Sequence, residues 1–217
     1  MTVAFTNDGA TDLLYAAPAA VECNDAFIAN PTKVAMTFSH QLAKVKFSFE
    51  NGVGEGYNVK VTNVKITNAK KTGTLTIGDA NAWSAQDGSI ELDFGNAVAD
   101  NATTNEAAPI ANAATLESYN EKLMIPTKDV DYTVTFTVEL LHGDVIMGTY
   151  NHTVTIKGVE FKLGYCYDFK ATLTHENIVD PENPLKPIEF TVTDITDWNK
   201  TEQNQTVTVP TTTTDKK

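Results

Sequence analysis

The stretch Val34-Ala-Met-Thr-Phe-Ser-His-Gln-Leu-Ala-Lys-Val-Lys-Phe-Ser-Phe49 decides the fold. Val34, Met36 and Phe38 alternate with Ala35 and Thr37. Val45, Phe47 and Phe49 alternate with Lys46 and Ser48. A two-residue period puts every second side chain on one face of an extended chain. The pattern therefore predicts two strands, Val34–His40 and Ala43–Glu50, each with one buried face.

The same reading carries outward along the chain. Tyr57–Asn68 alternates Val59, Val61, Val64 and Ile66, with a phase slip at Thr62-Asn63 that predicts a bulge. Lys71-Thr-Gly73 reads as a hairpin-like turn before a strand at Thr74–Ile77. Residues 78–88 read as a loop around Trp83, and Ile90–Phe94 as a strand. Residues 95–118, rich in Ala, Asn and Thr, read as a long loop, favoured as a surface insertion. Strands resume at Lys122–Pro126, Tyr132–Leu141 and Val145–Ile156, and His142-Gly-Asp144 closes a hairpin between the last two. Tyr165–Thr174 and Ile188–Trp198 complete the set. About ten short strands with regular turn signals and no convincing amphipathic helix predict an all-β, antiparallel Greek-key-type β-sandwich.

The expected organisation is an N-terminal segment at 1–30, a sandwich at 31–200 and a flexible tail at 201–217. A chain of 217 residues with 41% hydrophobic residues can bury such a core. Net charge is −12, and all 16 basic residues are lysine. An acidic chain without arginine lacks the basic patches and guanidinium forks that hold nucleic acid, so no nucleic-acid partner is expected. No run of 18 apolar residues exists, so no membrane span is expected. The segment ending at Cys23 faintly resembles a lipoprotein signal, but Asp8, Asp12 and Glu22 stand where positive and small residues belong. If the protein is exported, its signal has been removed or lies upstream.

Chemistry is sparse. The four histidines show no metal-ligand spacing, and His40 reads as a structural, hydrogen-bonding residue. Asp194 with Asp197, and Asp129 with Asp131, lack the rest of a calcium loop and read as surface carboxylates. No nucleophile elbow, phosphate loop or dinucleotide fingerprint appears, so a hydrolase reads poorly and no catalytic residue, metal or cofactor is expected. Cys23 and Cys166 could form one bridge, though a buried thiol is the simpler reading of Cys166. Trp198 reads as core packing. Trp83, placed in a loop, is a candidate ligand contact. Thr206, Val207, Thr208 and Val209 form a short strand-like segment in the tail, with Val207 and Val209 on one face.

Asp12-Leu-Leu-Tyr-Ala16, Phe38-Ser-His-Gln-Leu-Ala-Lys-Val-Lys-Phe47, Val59–Trp83, Lys122-Leu-Met-Ile-Pro126, Tyr165–Leu173 and Ile188–Trp198 follow one another in an order that resembles the fimbrillin-like surface proteins of Bacteroidetes. The resemblance implies a transthyretin-like lobe, with residues 34–198 matching the C-terminal lobe of such subunits. It implies a non-enzymatic structural or adhesive subunit of cell-surface fimbriae, exported to the cell surface or outer membrane. Its partners would be other fimbrial subunits, joined by β-strand donation with Thr206–Val209 as the donor. The alternative is a surface carbohydrate- or protein-binding sandwich that does not polymerise, binding host or bacterial glycans or proteins through Trp83 and its neighbours. Without arginine, the chain carries no arginine-directed maturation site.

Overall fold

The computed structural model describes residues 1–17, 36–78, 80–182 and 185–198. Thirteen strands are described: β1 (Thr2–Thr6), β2 (Leu14–Ala16), β3 (Phe38–His40), β4 (Ala43–Asn51), β5 (Tyr57–Thr76), β6 (Ala82–Gly95), β7 (Ala97–Val98), β8 (Thr115–Ser118), β9 (Lys122–Met124), β10 (Val130–His142), β11 (Val145–Val159), β12 (Tyr165–Leu173) and β13 (Phe190–Asp197). A single helical turn, α1 (His175–Ile178), follows β12.

Two sheets face each other. In the first, β5 pairs along one side with β10 and then β1, and along the other with β6; β11 lies outside β10. In the second, the order is β13-β12-β4-β8-β7, with β9 also on β4. The pairing of β12 with β4 is parallel, and the other strand pairings are antiparallel. β2 and β3 form a separate ribbon.

The predicted alternation fills the space between the sheets. Val45, Phe47 and Phe49 of β4, Tyr167, Phe169, Ala171 and Leu173 of β12, and Tyr132, Val134, Phe136 and Val138 of β10 are all buried. Phe47 sits at the centre, edge-on to Phe94 at 4.8 Å and within 6 Å of Phe169 and Phe190. Such aromatic contacts add about 1 kcal/mol each beyond the area they bury. A gap in the ladder between β8 and β9 is bridged by a side chain: the Phe47 N–H donates to Ser118 Oγ at 3.1 Å.

The bulge expected near Asn63 is present. Asn63 adopts φ 56°, and the β5 register shifts against both β10 and β6 beside it. The hairpin at 142–145 is also present, with Gly143 at φ 59°, a value glycine tolerates without steric cost.

Other expectations are corrected. Lys71–Gly73 is no turn, because β5 runs unbroken through it for 20 residues. Gly73 is there for contact: a Cβ would lie 2.9 Å from Trp83 Cε3, so the missing side chain admits the indole. Residues 82–88 are strand and not loop, since β6 begins at Ala82 to cover β5. The 95–118 segment is tied down at both ends by β7 and β8, and it plugs Ile110, fully buried, against Val59. Burial of one apolar residue turns a polar-looking insertion into part of the core. Met36 and Phe38 are 41% and 45% exposed, so these two residues form no buried apolar face, and Val34 and Ala35 lie outside the described residues. The reason is that, among the described residues, β3 pairs only with the three-residue β2 and lies apart from the two sheets.

Candidate functional site

Three regions stand out, and two of them gather the features the sequence singled out. The first is a junction where the quoted motifs meet. His40 Nδ1 lies 2.6 Å from Asp12 Oδ2, and the imidazole stacks on the Trp198 indole at 3.4 Å and 6°. Lys44 Nζ sits 5.2 Å from the same indole and pairs with Glu121. The Gln41 N–H donates to Leu13 O, and the Trp198 N–H donates to Gly164 O at 2.7 Å. The structural reading of His40 holds.

The second region holds Trp83. Its indole packs edge-on to Phe5 at 5.9 Å and joins a small second core with Leu42, Leu123 and Ile125. Its Nε1–H donates to the Gln41 carbonyl at 2.8 Å. The same residue lines a surface depression of about 490 Å³ with Gln86, Pro126, Lys128, Glu160 and Lys162. Trp83 thus has a packing role and an accessible neighbourhood at once.

The third region was not singled out from sequence. Among the described residues, β11 and β13 are open edges of the two sheets, and a cleft of about 580 Å³ is lined by β11 residues, by the segment leading into β13 and by its first residue. Its lining includes His152, Val154, Ile156, Asn177, Ile188 and Phe190. His152 is 5% exposed, and its buried Nε2 has no hydrogen-bond partner among the described residues. Its ring lies nearly parallel to Phe136 at 5.3 Å. Burial pushes its pKa down to about 4, so the imidazole is neutral near pH 7. The one signal in the sequence was a polar residue on the inward phase of a strand; nothing in it indicated which strand stands at an edge.

Among the described residues, no group of three or more His, Cys, Asp or Glu is arranged to hold a metal ion. The candidate donor strand Thr206–Val209 and Cys23 lie outside the described residues. What the described residues offer is main chain without a strand partner along two sheet edges, with a cleft of mixed polar and apolar lining beside it.

No curated protein matches the chain. Among solved structures, the chain is similar to a fimbrial protein from Bacteroides vulgatus, with 15% identity and TM-score 0.53 over 91% of this chain and 68% of that one. It is similar to a candidate cell adhesion protein from Parabacteroides distasonis, with 13% identity and TM-score 0.51 over 76% of this chain and 54% of that one. Against a further candidate cell adhesion protein, from Bacteroides ovatus, it spans 60% of that chain's length at 16% identity and TM-score 0.44, with 91% of this chain covered. For the first two, at these identities the likeness speaks for the fold alone. A fimbrillin-like profile, however, matches residues 1–198, which takes in all three regions, and the chain belongs to the fimbrillin-like family.

Proposed function

We propose that this chain is a structural or adhesive part of a cell-surface fimbria and that it joins other subunits by β-strand donation. Membership of the fimbrillin-like family supports the fimbrial or adhesive role. The observation that carries the finer reading is the pair of open edges, β11 and β13, with a cleft beside them. An added strand there gains main-chain hydrogen bonds, and its alternate side chains enter the cleft. The donor in this reading is Thr206–Val209, whose two valines stand two residues apart, the spacing that an added strand would turn to one face. The protein acts as a structural part and not as an enzyme, at the cell surface.

The test compares the full chain with Val207→Asp/Val209→Asp by size-exclusion chromatography with light scattering. Wild type should form end-to-end oligomers that the double variant loses. Equal assembly by both would reject the tail as donor.

The depression beside Trp83 supports a second reading, a module that binds a surface glycan or protein. Binding on a glycan array that falls on Lys128→Ala, with stability unchanged, would favour it over assembly.

A further inference from the structure

β11 keeps an unbroken register against β10 from Gly148 to Ile156, with an irregularity at either end. Within that stretch His152, Val154 and Ile156 take the inward phase and line the cleft, while Thr153 and Thr155 are exposed. Val154 and Ile156 are half-buried against the core. The edge therefore presents to the cleft a row of one polar and two apolar side chains.

His152 is the odd member of that row, because its Nε2 is buried and has no hydrogen-bond partner among the described residues. Asn177, the other buried polar residue of the lining, is satisfied: its Oδ1 accepts from the Thr174 N–H at 2.8 Å, and its Nδ2 donates to Thr172 O at 3.0 Å. An imidazole nitrogen donates or accepts according to its tautomer. A hydroxyl or a carboxamide can do either, and brings no charge into a partly apolar cleft. The chain itself holds a matching row. Gln205, Val207, Val209 and Thr211 are spaced two apart, the period of one strand face.

We propose that His152 sets the register of the donated strand: Val207 and Val209 lie beside Val154 and Ile156, and the polar residue next on the same face hydrogen-bonds His152 Nε2. That residue is Gln205 if the strand runs parallel to β11 and Thr211 if it runs antiparallel. Both directions place Thr208 opposite Thr155. This inference rests on the donation proposed above and adds its alignment and the residue that enforces it. A slip of two residues that lays a valine on His152 leaves Nε2 buried and unpaired, which disfavours that register by about tenfold or more.

The test uses the full chain with Thr155→Cys combined in turn with Thr206→Cys, Thr208→Cys or Pro210→Cys. Facing residues on neighbouring strands stand about 5 Å apart, within disulfide reach. After mild oxidation, peptide maps should show 155–208 bridges between chains, about tenfold or more above 155–206 and 155–210. His152→Val should raise one shifted bridge to the level of 155–208: 155–210 for a parallel strand, 155–206 for an antiparallel one. In otherwise unchanged chains, either Gln205→Leu or Thr211→Val, according to that direction, should weaken assembly about tenfold in light scattering. Chains that assemble with all three bridges equally abundant, or with a pattern that His152→Val leaves unchanged, overturn this inference and spare the donation. Chains that stay monomeric and form none of these bridges overturn both. If His152→Val fails to fold, assembly that neither Gln205→Leu nor Thr211→Val weakens overturns the inference.

Discussion

Replacing Trp83 by alanine separates its two roles. In the structure the indole covers Gly73, meets Phe5 edge-on and closes the second core over Leu42, Leu123 and Ile125. Removing a fully buried aromatic costs about 3–5 kcal/mol. Trp83 is only partly buried, which reduces this to about 2 kcal/mol. Its Nε1–H also satisfies the carbonyl of Gln41, a residue 2% exposed. Leaving that acceptor without its donor adds about 1 kcal/mol. The sum is about 3 kcal/mol. Urea unfolding followed by circular dichroism is the assay. With a slope of about 3 kcal/mol per molar for a chain of this size, the midpoint should fall by about 1 M. Trp83→Phe keeps most of the ring and loses the donor, so it should fall by about a third as much. An alanine variant with a midpoint within about 0.2 M of wild type would refute the packing account. It would leave the indole free to serve the surface depression alone.

Two further outcomes follow from the other regions. His152 has a folded pKa of about 4 against an ordinary value of 6.5, so the unfolded chain takes up the proton first as pH falls. Stability from this group is complete above pH 6.5 and is lost progressively down to pH 4, by at most about 3 kcal/mol. His152→Leu should flatten that part of the pH–stability curve, and an unchanged slope would count against the assignment. His40→Ala removes the stack on Trp198 and the partner of Asp12, at about 2 kcal/mol together. Hydrogen exchange should rise locally at the end of β13, where the Trp198 N–H bonds Gly164; exchange that stays at the wild-type rate there would show that the junction does not anchor the strand.

Much of the fold is local and was therefore legible. Alternation in β4, β10 and β12 is dictated by the pleat, since a residue cannot change face without breaking its strand's register. The bulge at Asn63 and the hairpin at Gly143 have local causes too: a phase slip and a glycine at positive φ. The family was legible because several short motifs kept their order along the chain.

Other features depended on what lies across the sheet. Gly73 reads as a turn until Trp83 is seen lying on it. Ile110 reads as part of a surface loop until it meets Val59. Met36 and Phe38 alternate as a buried strand would, and are exposed because only a three-residue partner stands beside them. The open edge of β11 has the same origin. A strand's composition says that it will pair, whereas its order in the sheet decides whether one of its sides remains unpaired. Sequence periodicity reports which face of a strand is apolar, because that is a property of consecutive residues. Tertiary structure alone decides which faces and edges are covered, because covering is done by residues far away in the chain.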